Sequence, residues 1–564
     1  MPNAENGGSG SAPPTSSSDP KPPHDSLGDD FAAQDLPGPG QAPPHVEKGG
    51  RLFTAAGVPV VRWKAGELPA IVDQAEAALM ESGLQIYQRD ALLVRVVKRS
   101  VPTIRNYKRD TGVLGLVTVD TPYLTESLTR AAVWEKFDGR SKEWVRTNAP
   151  EQASVTLLAR SGHWKFPKLW GARSAPTLRP DGTVLQDAGY DAAMQVFYDP
   201  CGVEYPRVPE RPTKADAERA FKVVYDAFDS FPYVGDADRA VALSFVLTAL
   251  VRRSLPSAPL GAISAPMMGS GKTLLADCIA ILTTGASAPA MTFAETDEEA
   301  KKTALAVLME GDPVVLIDNV ERPLEGDWLC SMLTSELYKQ RMLGRTEMVS
   351  VPTRTLILAT GNHLTVAGDL RTRTLLCQLD PKLEHPEQRE FSYDLREKMI
   401  RMRPAIVTAA LTVMSAFICC GESARKHVPP WGRFEHWSDM VRAPLVWMDC
   451  EDPCFSLRTL EGEDPMRNEH MQLVELWFKV FKDDVLTARG AIDRLSQASP
   501  TDDESALKQV MLEVAVDKLG AISSKRLGKW MDRNKGGRIG GYLIEPVGHI
   551  NHVTKWQVTR LENG

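Results

Sequence analysis

Along this chain the spacing of apolar positions changes period several times, and each change marks a predicted element. Residues 68–82 and 125–137 carry apolar side chains at helical spacing, 91–97 predicts a strand, and Pro180, Asp181 and Gly182 predict a hairpin turn. Helical spacing returns at 213–230 and 236–253, the first opening on Thr213 and Asp216 in the order of a capping box. The pattern then becomes continuous. Short apolar runs lead into Ile263, through PVVLID to Asp318 and through TLILATGN to Asn362, the form of strands buried on both faces. Alternation about Gly344 and Arg345 predicts a hairpin between the second and third runs. Residues 393–420 predict a long, largely buried helix. Two amphipathic helices, 503–519 and 523–534, precede two short strands, 541–545 and 554–558, around a turn from His549 to His552.

Each buried run ends in polar chemistry. The first passes into Pro266, Met267, Met268, Gly269, Ser270, Gly271, Lys272, Thr273 and Leu274, a glycine loop opening a helical stretch that ends at Gly285. Backbone N–H groups of such a loop cradle phosphates, a lysine neutralises them and a hydroxyl ligates Mg²⁺. Lys272 and Thr273 fill the last two roles, so ATP and Mg²⁺ are the expected cofactors, although Pro266 replaces the first glycine of the usual spacing. Asp318 would then lie beside the phosphates as a second holder of Mg²⁺. Asn362 would orient a water near the terminal phosphate.

The order of these stations resembles the AAA+ ATPases, most closely the superfamily 3-like helicases of phages, plasmids and integrated mobile elements. The resemblance implies that Gly271, Lys272 and Thr273 end a Walker A loop, that Asp318 is the Walker B acid and that Asn362 is sensor 1. It also implies that Arg371 or Arg373 is a finger reaching a neighbouring subunit's ATP, which requires a ring, with a hexamer as the expected homo-oligomer. Lys339, Arg341, Arg345 and Arg354, in or beside the predicted hairpin, would track single-stranded DNA in the pore. The chain departs from the pattern at Asn319, where most AAA+ enzymes carry the glutamate that polarises water. Glu321, or Asp318 with Asn319 as orienting partner, are the alternatives for that role. Residues 434–453 resemble a stretch C-terminal to the motor in phage-type primase-helicases, with Arg442 placed to sense nucleotide. Residues 51–212 loosely resemble the domain preceding the motor there. They lack a convincing pair of primase carboxylates or a zinc cluster, which leaves a separate primase as a candidate partner.

Composition narrows the picture. At 564 residues and 43% hydrophobic content the chain has material for several packed domains. The first fifty residues, rich in Gly, Pro and Ser, predict a disordered leader. A net charge of −7 argues against a surface that coats nucleic acid everywhere and leaves room for a basic pore or appendage. Eight scattered cysteines read as reduced core thiols. No apolar run approaches the roughly 20 residues of a membrane span, and no signal peptide is legible, so a cytoplasmic protein with no membrane partner is expected. Trp134, Trp144, Trp164 and Trp170, with Lys165 and Lys168 among them, read as core anchors before base-stacking groups. Lys525, Arg526, Lys529, Arg533 and Lys535 give the second C-terminal helix a basic character that suits a duplex DNA-binding winged helix.

The expected fold is α/β: an AAA+ P-loop ATPase core with a mixed α+β N-terminal domain and a C-terminal winged-helix module. The segments are a leader at 1–50, an α+β domain at 51–212, a helical collar at 213–257, motor and lid at 258–425, a helical extension at 426–499 and the winged helix at 500–564. The expected function is an ATP-dependent, ring-forming DNA helicase or replication initiator. The alternatives are an ATP-switched assembly or phage-defence regulator that remodels a protein without unwinding DNA, and a passive DNA-binding scaffold.

Overall fold

The computed structural model describes residues 45–48, 50–98, 107–108, 112–294, 296–341, 348–388, 393–421, 428–457, 465–496, 501–517, 520–539, 541–550 and 553–561. Most of the expected leader, the hairpin tip with Arg345 and turn residues 551–552 lie outside them.

Five parallel strands form the centre: Leu260–Ala265, Ala290–Thr292, Val314–Asp318, Leu356–Asn362 and Thr374–Gln378. Across the sheet they lie in the order fifth, first, fourth, third, second, and Tyr107–Lys108 pairs antiparallel at the far edge. Their side chains alternate between two cores, which is why the sequence reads as continuously apolar. Ile263, Leu316 and Leu358 face helices Asp236–Val251, Lys272–Thr284 and Leu395–Cys420, while Ala262, Ile317 and Ala359 face Asp297–Glu310 and Asp327–Thr334. The chain runs from the first strand out to the edge, returns through the third and fourth, and crosses the first to reach the fifth. That crossing makes a switch point at the first strand's C-terminal end, where open α/β sheets bind ligands.

The expected collar is part of this core. Asp236–Val251 is buried continuously from Ala240, and its Val241, Phe245 and Leu250 share a cluster with Ile263 and Leu275. Lys214–Ala227 opens with the Thr213–Asp216 capping box in place. Leu395–Cys420 is 26 residues long and apolar enough to cross a membrane, but 67% of its most apolar window is buried inside the fold, as a core helix requires. Arg442, expected to sense nucleotide, is instead buried and donates to Asp452 and to the Pro429 carbonyl.

In the N-terminal region a five-stranded sheet, His45–Lys48, Arg51–Thr54, Pro59–Trp63, Val133–Asp138 and Glu143–Thr147 in that order, packs one face on helices Leu68–Glu81, Thr121–Ala131 and Glu151–Ala159. The helix expected to reach 137 stops at Ala131. Trp134 is buried and donates its indole N–H to Leu128 O at 2.8 Å, and Val133–Asp138 pairs in parallel with Pro59–Trp63, so tertiary pairing overrides helical spacing. Trp164 is likewise a core residue, donating to Leu157 O at 2.6 Å. At the other end, Trp477 and Phe481 of Pro465–Phe481 share a core with Leu507, Trp530 and Trp556. The C-terminal unit therefore draws on residues well before 500. It comprises helices Ala488–Arg494, Asp502–Ala515 and Ser524–Arg533 and a sheet of Leu486–Thr487, Val553–Arg560, Tyr542–Ile550 and Arg538–Ile539.

Buried arginines hold the rear edge of the central sheet, away from the switch point. Arg403 donates to Leu282 O and Thr283 O at the C-terminus of Lys272–Thr284 and to Ser174 O, at 3.0–3.1 Å. Arg89 donates to Leu308 O and Met309 O at the C-terminus of Asp297–Glu310. Arg252 takes Thr353 O, Leu255 O and Thr355 O, and Arg253 takes Trp170 O and Gly311 O. Burial lowers Arg252 to about 9 and Arg89 to about 10. Helix C-termini carry partial negative charge, so carbonyls substitute for carboxylates as partners. Arg173 is the exception: it is buried and its three side-chain nitrogens meet no acceptor among the described residues.

These two situations predict opposite responses. Arg403→Ala strands several buried carbonyls and should cost roughly 3 kcal/mol, read as a lower thermal midpoint. Arg173→Met removes an uncompensated buried charge and should leave the midpoint unchanged or raise it. A loss for Arg173→Met equal to that for Arg403→Ala would contradict the assignment.

Candidate nucleotide site

The three polar strand ends converge at the switch point. After Ala265 the chain turns through the glycine loop into Lys272–Thr284, with left-handed backbone at Gly269 (φ 74°) and Gly271 (φ 96°). Position 266 is not among the left-handed residues, so the fixed φ of Pro266 is tolerated there. Pro266 and Met268 are exposed, Ser270 is buried and donates to Met267 O at 2.7 Å, and Leu274 packs against the main core. Lys272 sits at the helix N-terminus and donates to Met267 O at 2.9 Å and to Asn362 Oδ1 at 2.7 Å. Burial lowers the Lys272 pKa from its ordinary value, while the charge of Asp318 opposes that shift.

Thr273 donates its hydroxyl to Asp318 Oδ1 at 3.1 Å. The same oxygen receives the Thr360 hydroxyl at 2.5 Å, and Thr360 Oγ1 accepts the Asn319 N–H at 3.2 Å. Asn319 has φ 54°, a left-handed conformation that asparagine tolerates better than most residues. Its side-chain amide donates to Glu321 Oε1 at 2.9 Å, which joins Glu321 to the same hydrogen-bonded series as Asp318. Gly361 lets the strands approach closely, since a Cβ there would lie 2.5 Å from Val320 O. His363 N–H closes the gap to the first strand by donating to Ala265 O at 3.0 Å.

Two contributors were not singled out from the sequence. Thr360 looks like one more apolar-strand residue until its register beside Asp318 on the third strand is known. Phe231, on the loop between the two helices that precede the first strand, lies 3.7 Å from where a Cβ on Gly271 would stand. Its neighbours Pro232 and Val234 bond Asp380 and Gln378 at the end of the fifth strand.

The two arginine candidates separate. Arg373 is buried and donates to Cys330 O, the Thr334 hydroxyl and the Asp369 carboxylate of its own chain, which ties Gly368–Arg373 to Asp327–Thr334. Arg371 is half-buried and donates to Gly368 O at 3.3 Å. In the hairpin, Leu337–Arg341 pairs with Met348–Pro352, and Lys339 and Arg341 are exposed. Arg354, after the hairpin, turns to the protein: its guanidinium lies 4.0 Å from the Trp170 ring centroid and donates to Arg253 O at 2.5 Å. Lys525, Arg526, Lys529, Arg533 and Lys535 are all exposed, while Leu527, Trp530 and Met531 turn inward. Arg526 also donates to Val516 O, and Lys535 pairs with Asp532 at 3.0 Å.

The loop, the half-buried lysine and the Thr273–Asp318 pair fit a nucleoside triphosphate with Mg²⁺. No group of three or more Cys, His or carboxylate residues arranged for a metal occurs among the described residues.

No protein-family model and no curated protein matches this chain. Among solved structures it is similar to the NrS-1 C-terminal region at 9% identity and TM-score 0.36, covering 86% of this chain and 98% of that one. It is also similar to the JCV helicase at 14% identity and TM-score 0.19, covering 46% of this chain and 70% of that one. Overlaps this loose define no shared fold, and the chemistry is read from this chain's own strand ends.

Thr360→Val keeps the side-chain shape and removes one hydrogen bond to Asp318 and one acceptor for Asn319. The expected result is a tenfold or larger fall in nucleotide turnover, since each 1.36 kcal/mol is tenfold, with nucleotide affinity by filter binding changed less than threefold. Unchanged turnover would show that Thr360 does not position the acid.

Proposed function

We propose that this chain is an Mg²⁺-dependent ATPase of the AAA+ superfamily 3-like kind, acting as a ring-forming DNA helicase or replication initiator of a phage or mobile element. The observation that carries this reading is the convergence of Lys272, Thr273, Asp318 and Asn362 from three strand ends at one switch point. Lys272 and the loop N–H groups of 269–273 would bind the phosphates. Thr273 and Asp318 would hold Mg²⁺, which neutralises charge developing on the phosphate oxygens. Asn362 and Glu321 would position and deprotonate the attacking water, with Asn319 orienting the Glu321 carboxylate through its amide. Arg371 is the better finger toward a neighbouring subunit, because it is half-buried whereas Arg373 is buried against Asp369 and Cys330.

DNA contact is supported by two exposed basic sets. Lys339 and Arg341 lie on the hairpin between the third and fourth strands, which would meet single-stranded DNA in a hexameric pore together with Arg345, a residue outside those described. The C-terminal helices and hairpin suit a winged helix, with Lys525, Lys529 and Arg533 spaced to meet duplex phosphates. A separate primase would complete replication. A second reading, an ATP-switched regulator, is favoured by one observation: Asn319 stands where a glutamate would speed hydrolysis.

In an unwinding assay on forked DNA, wild type should separate the strands with ATP and Mg²⁺. Lys272→Ala should not. Glu321→Gln should retain ATP binding and lower turnover at least tenfold. DNA-stimulated hydrolysis without strand separation would support the regulator instead, and full turnover in Glu321→Gln would remove Glu321 from the water-activating role.

A further inference from the structure

Most tryptophans of the N-terminal region are core or interface residues, but one aromatic pair is not absorbed by packing. Val133–Asp138 and Glu143–Thr147 form a hairpin whose outer half is exposed on both faces. Phe137 and Trp144 are cross-strand partners on one face, with ring centroids 5.6 Å apart in an edge-on arrangement. Phe137 is 49% exposed, which leaves much of its ring open to contact. Arg62 lies 4.6 Å from the Trp144 centroid and is held there by Glu135, itself fully buried, at 3.0 Å. The pair is therefore set in place by a cation–π contact and a buried carboxylate.

Charge around the pair is basic, in contrast to the chain as a whole. Arg62 and residues 133–147 contain five basic and three acidic side chains. Two of the acids are committed: Glu135 to Arg62, and Asp138 to the Arg140 N–H and the Ser141 hydroxyl that shape the turn. Lys136, Arg140 and Lys142 are exposed around the tip.

We infer that the outer half of the 133–147 hairpin is a single-stranded nucleic-acid contact, with Phe137 and Trp144 as stacking surfaces for bases and Lys136, Arg140 and Lys142 as phosphate contacts. Exposed rings stack on any base, and flanking cations track the backbone. The face suits single strands over duplex because a stacked base must first be free of its neighbours. This contact is separate from the motor and needs no ATP.

The test is fluorescence anisotropy of a labelled dT oligomer and of a matched duplex, measured on the full chain without nucleotide. A Lys272→Ala background removes any contribution from turnover. Phe137→Ala should weaken single-strand binding about tenfold with duplex binding within twofold, and Phe137→Trp should restore it. Arg140→Ser with Lys142→Ser should lower the salt dependence of single-strand binding by about one to two in slope, whereas Phe137→Ala should leave the slope unchanged. Circular dichroism melts on each variant separate lost contact from lost folding. Single-strand affinity within twofold of wild type in a folded Phe137→Ala chain would overturn the inference. So would a reduction in self-association by sedimentation without any change in DNA binding, which would make the face a contact between copies. Because unwinding is not part of the readout, the helicase reading and this contact can fail independently.

Discussion

The parallel sheet gives the molecule an electrical polarity, and buried arginines at its rear edge make that polarity affordable. Helices that follow parallel strands all point their C-termini to the same edge, where carbonyls lack partners and carry partial negative charge. Arg403 and Arg89 take those carbonyls from Lys272–Thr284 and Asp297–Glu310. Arg89 comes from the N-terminal region and Arg403 from the long core helix, so the same bonds that satisfy the sheet also lock its neighbours to it. The front edge is left with helix N-termini, the electrostatic requirement for an anion. Anion site and arginine clamp are thus opposite ends of one arrangement.

At the front edge the hydrogen bonds form a short relay in which each residue fixes the next. Thr360 meets both the Asp318 carboxylate and the Asn319 N–H, so the acid and the residue after it are oriented from the neighbouring strand. The left-handed turn at Asn319 follows from this. A glutamate in the same place would bear the strain of φ 54° without the short amide that reaches Glu321. The amide of Asn319 thus fixes the Glu321 carboxylate two residues on, at the same end of the sheet as Asp318.

Legibility in the sequence tracked how local each cause was. The glycine loop, Lys272, Thr273, Asp318 and Asn362 were readable because strand, loop and helix signals are contiguous and their chemistry depends on spacing. Thr360 was not, since its role needs the register between the third and fourth strands, a long-range fact. The surroundings of Arg373 and Arg354 are long-range facts of the same kind. Charge in a sequence suggests exposure, whereas Arg373 is buried against Asp369 and Cys330 and Arg354 is half-buried against Trp170 and Arg253. Residues 133–137 continue the helical spacing of 125–131, and only pairing with Pro59–Trp63 and Trp134 docking against Leu128 resolve them as strand. The C-terminal boundary was set too late because Trp477 and Phe481 look like an ordinary amphipathic helix until their partners beyond 500 are seen.

The acidic balance of the chain bears on how it would meet DNA. With a net charge of −7, long-range attraction to phosphate is unfavourable over most of the surface, so binding must come from local basic sets dense enough to offset it. Three such sets are exposed among the described residues: the strands of the 337–352 hairpin, the outer half of the 133–147 hairpin and the Ser524–Arg533 helix. They differ in what accompanies the charge. The N-terminal hairpin adds the exposed Phe137 ring beside the half-buried Trp144, a pairing that favours unpaired bases. The C-terminal helix has its apolar side chains turned inward and offers a row of cations alone, which favours the regular phosphate spacing of duplex. A protein that must distinguish duplex from separated strands gains that distinction from the pairing of charge with or without rings, a separation that a uniformly basic surface would lose.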